Sequence, residues 1–269
     1  TPMAEARVVY EGQPGDMYIS AARDHTPGHE RDLVTRTIAF YNDELYLRGA
    51  DGSLTRIEVP NSAQKSVRRD WLTLELREPW EVGGRTYKAG SLLVAKFDDW
   101  MAGKRDLEVL FEPSDTTSLA GASFTKNHLV LNVLDDVKNR LSVLTPGPDD
   151  WTRSELAGVP EFGTVSVGAV DSDESDELWM TVTDYLTPTT LMLGSAAPGA
   201  GAPEVLKTQP AVFDASKHTV EQHFATSKDG TRVPYFLVRP KDQAADGSNP
   251  TLLYGYGGFE ISLTPGYSG

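Results

Sequence analysis

Asn127-His128-Leu129-Val130-Leu131-Asn132-Val133, a polar turn, and then Arg140-Leu141-Ser142-Val143-Leu144 form the stretch whose repetition decides the fold. Asp176-Glu177-Leu178-Trp179-Met180-Thr181-Val182 followed by Thr190-Leu191-Met192-Leu193 repeats the same strand, turn and strand. The offset is about the 40–50 residues of one four-stranded propeller blade. A looser copy is Asp43-Glu44-Leu45-Tyr46-Leu47-Arg48 with Leu54-Thr55-Arg56-Ile57. Further short apolar or alternating runs occupy residues 16–20, 37–41, 55–59, 71–76, 91–95 and 107–111, many separated by turns such as Val82-Gly83-Gly84 and Pro146-Gly147-Pro148. No amphipathic helix is read before Lys207. The pattern implies a mostly β chain with about four propeller blades; periodicity alone leaves an antiparallel sandwich as the competing reading.

Composition narrows the partners. The 269 residues suffice for one large or two modest domains, and 39% apolar with 24% charged residues is ordinary for a globular chain. A formal net charge of −14 argues against nucleic acid, which demands clustered Lys and Arg. No run reaches the roughly 18 apolar residues of a membrane span. Without cysteine there is no disulfide, thiolate nucleophile or Cys-based metal site, which suits the cytoplasm and leaves the periplasm open. The first residues, Thr1-Pro2-Met3-Ala4-Glu5-Ala6-Arg7, carry no secretory pattern, and both ends read as cuts through a longer protein.

The text changes character after the Gly/Ala/Pro/Ser run at residues 194–203, read as an inter-blade loop or linker. Residues 220–226 and 233–238 alternate around Ser227-Lys228-Asp229-Gly230-Thr231, a strong hairpin signal. Pro250-Thr251-Leu252-Leu253-Tyr254 then reads as a buried strand running into Tyr254-Gly255-Tyr256-Gly257-Gly258-Phe259, where a tight backbone turn is expected. A dinucleotide fingerprint would need glycine where Glu260 stands, and a P-loop would need Gly-Lys-Ser/Thr. The remaining reading is the loop after the third strand of an α/β-hydrolase, which supplies part of an oxyanion hole.

Leu253 to Phe259, with Ile261-Ser262-Leu263-Thr264-Pro265 and Tyr267-Ser268, resembles the prolyl oligopeptidase family of serine peptidases. The hairpin Ser227 to Pro234, Asp135-Asp136-Val137-Lys138-Asn139 and Tyr185-Leu186-Thr187-Pro188 resemble it as well, firmly from about Thr117 to Gly269 and more loosely before. The resemblance implies part of a seven-bladed propeller over residues 1–210 and the opening strands of the hydrolase domain over 211–269. It implies that the Tyr256 phenol donates to the oxyanion of the tetrahedral intermediate, a role worth about 2.7–4 kcal/mol for one donor. It implies that Phe259 lines the pocket for the substrate's proline. Glu260 departs from the uncharged residue the family often carries next.

No Gly-x-Ser-x-Gly occurs. Gly266-Tyr267-Ser268-Gly269 imitates its first half, but a nucleophile elbow needs its own strand and following helix, so Ser268 is rejected. In hydrolase order the aspartate and histidine follow the serine, so the triad is expected beyond Gly269 and this chain alone is expected to be inactive. A ring lacking blades would also expose sheet edges and invite self-association.

Other candidates have plain structural readings. His25 and His29 flank Pro27-Gly28 and read as a surface loop rather than a zinc pair. The acidic run from Asp171 to Glu177 reads as a solvated inter-strand loop. His128, His218 and His223 have no acid or nucleophile partner at recognisable spacing, and Trp71, Trp80, Trp100, Trp151 and Trp179 read as blade packing. The implied function is cleavage of short peptides after proline, gated by the propeller, with no cofactor or metal. The partners are short proline-containing peptides and the remainder of the hydrolase domain. Oligopeptidase B-like cleavage after Arg or Lys and a non-catalytic binding propeller are the alternatives. Against the former, such relatives carry Gly-Ser-Tyr where this chain has Gly257-Gly258-Phe259.

Overall fold

A computed structural model describes residues 2–148, 150–156 and 163–268. The chain divides into two compact units, residues 1–113 and 114–269. Each contains two four-stranded antiparallel sheets, which makes the chain a partial β-propeller.

In the first unit, β1 (Tyr18–Asp24), β2 (Arg31–Ala39), β3 (Asn42–Arg48) and β4 (Leu54–Arg56) form a meander. The second sheet contains β5 (Gln64–Arg68) and β6 (Trp71–Glu75). A small hairpin, β7 (Trp80–Val82) and β8 (Arg85–Tyr87), precedes β9 (Leu92–Lys96) and β10 (Glu108–Phe111), and the sheet order is β10-β9-β6-β5. Between β9 and β10 lies α1 (Phe97–Met101), a helix of five residues that buries Phe97 and Trp100. No amphipathic helix is expected in this region, and this single turn is too short to display a periodic stripe. The core of this unit gathers Leu45, Ile57, Leu72, Leu74, Leu93, Phe97 and Trp100.

The second unit opens with β11 (Thr117–Phe124), β12 (Leu129–Asp135), β13 (Lys138–Pro146) and β14 (Trp151–Glu155). The fourth sheet follows with β15 (Thr164–Ala169), β16 (Glu177–Thr183), β17 (Thr190–Ser195) and β18 (Glu204–Thr208), again in sequential order. The repeated sequence segments are therefore β12–β13 and β16–β17, the middle strands of consecutive sheets. Val130, Leu141, Val143, Val165, Leu178 and Met180 fill the core between them. The looser copy falls on β3–β4, the third and fourth strands of the first sheet, so its match is displaced by one strand.

Two polar devices are prominent among the contacts that join the third and fourth sheets. Strand β15 is an edge, and its Val165 carbonyl and N–H face two buried asparagines. Asn132 Nδ2 donates to that carbonyl at 2.8 Å, the Val165 N–H donates to Asn139 Oδ1 at 3.0 Å, and Asn139 Nδ2 donates to Asn132 Oδ1 at 2.6 Å. The edge groups are thus satisfied without another strand. The second device is Asp176, whose carboxylate accepts from Thr125 Oγ1 (2.7 Å), Asn127 N (2.8 Å) and Asn127 Nδ2 (2.7 Å), with His128 Nε2 at 3.8 Å. The acidic run is consequently a clasp as well as a solvated turn, and His128 does have an acid partner. Asp176 and Asn127 begin the two copies of the repeat, so consecutive blades meet at equivalent positions.

Residues 194–203 begin within β17 and continue as the loop joining it to β18, inside the fourth sheet rather than between blades. Trp100 is buried as expected, whereas Trp179 is 41% exposed on β16. His25 is exposed in a loop with the turn hydrogen bond His29 N–H to Thr26 C=O, and His29 faces Asp70 at 3.5 Å. No helix among the described residues is long and apolar enough to cross a membrane.

Candidate active site

Strands β19 (His218–Thr226) and β20 (Arg232–Pro240) pair along their full length as the expected hairpin. Gly230 at φ +89° permits its turn, and the Asp229 carboxylate accepts from Thr231 N–H at 3.0 Å and from the Ser227 hydroxyl. These bonds, the Ser227 hydroxyl foremost, hold the exposed Asp229 carboxyl down at about 2. His223 lies beside Glu221 (Nε2 to Oε2, 3.0 Å), and Arg239 also donates to Glu221 at 2.7 Å, so this histidine too has an acid partner. Both are strand neighbours two residues apart, a spacing that brings side chains to one face.

The hairpin is tied to the β12–β13 turn of the same unit. There Asp136 and Val137 take φ +47° and +60°, a conformation unfavourable for a β-branched residue. The Asp136 carbonyl accepts from Gln222 Nε2 at 2.7 Å, and its carboxylate lies 3.9 Å from Arg232 Nη1. The Phe236 ring packs on Tyr185, with centroids 5.7 Å apart. Thus the two propeller motifs quoted from the sequence, Asp135–Asn139 and Tyr185–Pro188, are the ones that meet the hairpin.

After β20 no strand forms among the described residues. The buried strand expected at Pro250–Tyr254 is corrected: Leu252 and Leu253 are 91% and 93% exposed. A strand of that kind takes both its hydrogen bonds and its burial from neighbouring strands, and none lies beside it here.

Tyr256 and Phe259 are brought onto one short loop, both at the surface, 51% and 64% exposed. The phenol is therefore outside the packed cores, and its hydroxyl has no hydrogen-bond partner among the described residues. The ring folds back over Gly258, where an added Cβ would lie 3.1 Å from the hydroxyl and 3.3 Å from Cζ. Nothing lies within 4 Å of a Cβ at Gly255 or Gly257.

The expected tight bend is present but is not made by a left-handed glycine. Phe259 (φ +54°) and Glu260 (φ +59°) take that conformation, and Ile261 N–H closes the turn on Gly258 C=O at 3.2 Å. Each such residue costs about 1–2 kcal/mol. Glycine at 258 serves the ring instead of the bend. The sequence signalled the loop but not which residues would carry its strain. Ser268 is exposed, and Gly269 lies outside the described residues.

No protein-family model matches the chain. Over 98% of its length it is 36% identical to an uncharacterized peptidase of Sinorhizobium fredii, covering 37% of that protein. A stretch of 107 residues is 37% identical to a prolyl endopeptidase of Elizabethkingia miricola, covering 39% of this chain and 15% of the relative. Among solved structures it is similar to a post-proline cleaving enzyme from Rickettsia typhi, with 26% identity and a TM-score of 0.85 over 99% of this chain and 39% of that one. Oligopeptidase B from Leishmania major shares the fold at 20% identity and a TM-score of 0.71, over 98% of this chain and 37% of that one.

In this chain a partial propeller is followed by a paired hairpin and a glycine-rich aromatic loop. The chain belongs to the prolyl oligopeptidase family, and it spans less than two fifths of the length of the curated relatives it matches, 37% and 32% for the first two.

Proposed function

We propose that the protein of which this chain is part is a serine-type peptidase that cleaves short peptides after proline. Tyr256 donates its phenol proton to the oxyanion, and Phe259 offers an apolar wall to the pyrrolidine ring. The observation that carries this reading is the loop itself: a tyrosine hydroxyl with no competing partner among the described residues, held over Gly258 three residues before an exposed phenyl ring. A donor that need not break another bond can be fixed before charge develops, which is the basis of oxyanion catalysis. Residues 211–269 open the hydrolase domain, the nucleophile, aspartate and histidine come from outside this chain, and the propeller over residues 1–210 excludes folded proteins. The cysteine-free composition suits a cytoplasmic setting.

The test is turnover by the full-length protein of matched short peptides with proline or arginine at the cleaved position. Preference for proline supports the reading. Preference for arginine transfers the same oxyanion machinery to oligopeptidase B-like specificity, and no cleavage of either removes the peptidase proposal.

A further inference from the structure

The loop bearing Tyr256 is held at its far end by a dock that the sequence motif does not reveal. Thr164 and Thr183 are register partners at the end of the β15–β16 ladder. Thr164 Oγ1 donates to the Pro265 carbonyl at 2.5 Å, and Thr183 Oγ1 accepts from Tyr267 N–H at 3.1 Å. One cross-strand threonine pair therefore grips two main-chain groups of the tail, as an added strand would. Gly163 makes the site possible: its φ is +113°, and a Cβ there would lie 2.7 Å from the Thr183 carbonyl oxygen.

The grip continues through the Tyr267 side chain. Its ring stacks on Phe213 with centroids 5.3 Å apart and planes 13° from parallel, and Phe213 stands edge-on to His218 at 5.9 Å. The Tyr267 hydroxyl accepts from Val212 N–H at 2.9 Å. Pro265 is buried, in contrast to the exposed residues on either side of the Tyr256 loop. Three places are thus pinned to one another: the end of the fourth sheet, the segment leading into β19, and the tail just beyond Tyr256.

We propose that Tyr267 is a positioning residue for Tyr256, acting through the Pro265–Tyr267 dock; this rests on the oxyanion role proposed above. From Pro240 to the dock no strand forms among the described residues, so no ladder holds the segment that carries Tyr256 and the dock is an anchor for it. Freeing that anchor gives the phenol a wider distribution of positions. A displacement of about 1 Å can cost on the order of 10²-fold in rate, because a donor works only where charge develops. Phe259 lies on the same loop, so KM rises as well; the share of the loss that passes through Tyr256 is the part of the kcat effect that disappears in a Tyr256→Phe background.

The test is a double-mutant cycle in the full-length protein, reading kcat and KM on a short proline peptide. Tyr267→Ala is expected to lower kcat about tenfold or more and to raise KM. Tyr267→Phe, which keeps the stack but loses the acceptor for Val212 N–H, falls between it and the unaltered protein. In a Tyr256→Phe background, Tyr267→Ala adds less than about twofold, since the group being positioned is already gone. Thr164→Val removes the donor to Pro265 with little change in shape and repeats the cycle should Tyr267→Ala fail to fold. Independent, multiplying losses, or an unchanged kcat in Tyr267→Ala and Thr164→Val, overturn the positioning role while leaving the oxyanion role standing. A silent Tyr256→Phe removes the oxyanion role itself and the positioning role with it.

Discussion

The third and fourth sheets and the tail after β20 are both rich in apolar residues, yet the folding chain treats them oppositely. Leu131, Leu178 and Met180 are fully buried, whereas Leu252 and Leu253 are more than nine-tenths exposed. The difference lies in where each strand finds its partners. Each strand of the third and fourth sheets pairs with a sequence neighbour, so either sheet is complete as soon as its four strands exist. The Pro250–Tyr254 segment has no adjacent partner in sequence, and its apolar run alone cannot supply one. Local meanders are self-sufficient; isolated strands of the buried type are not.

The largest effect that could break this contrast is in hydrogen exchange of the 269-residue chain. Amides of β12 are expected to approach protection set by global unfolding, and those of residues 251–257 to exchange almost as an open chain. Comparable protection in the two segments would abolish the distinction. Next in size, Leu178→Ala should cost about 2–5 kcal/mol in urea unfolding, while Leu253→Ala should stay within about 0.5 kcal/mol. A substantial cost for Leu253 in this chain would mean that the tail is packed.

Smaller effects sharpen the account of how the two sheets are joined. Asn132→Ala should cost about 1–3 kcal/mol, because the Val165 carbonyl and Asn139 amide lose their partner in a buried place. An unchanged midpoint would show that the β15 edge needs no such cover. The smallest effect is in pH. Burial alone would raise the Asp176 carboxyl, but the bonds from Asn127 and Thr125 outweigh it and hold it below its ordinary 3.8. A carboxyl lowered by folding stabilises above 3.8, and that contribution disappears as pH falls through the folded value. Asp176→Asn should therefore flatten the acid limb of stability measured from pH 6 to 2; an unaltered limb would assign it to other carboxylates.

Much of this was legible in the residues. The repeat that begins at Asn127 and again at Asp176 gave the blade period, and Asp229-Gly230 gave the hairpin. Strands such as β11 and β18 were not legible because Thr117–Phe124 is small and polar and Glu204–Thr208 is exposed throughout, so neither carries an apolar pattern. The partners of His128 escaped because Asp176 is distant in sequence, although the repeat itself placed the two side by side. For the candidate site, the motif identified Tyr256 and Phe259 together. It could not disclose that Gly258 makes room for a ring, or that Phe259 and Glu260 take the left-handed turn. Conformation of that kind accompanies the closing bond from Ile261 N–H to Gly258 C=O, which residue type does not announce.

The Tyr256 phenol proton has a neighbouring control in Tyr254, which permits a direct comparison. In the full-length protein, kcat on a short proline peptide should fall about 10²–10³-fold for Tyr256→Phe. Tyr254→Phe, two residues away on the same loop, should leave it unchanged. Equal kcat in both variants would contradict the account.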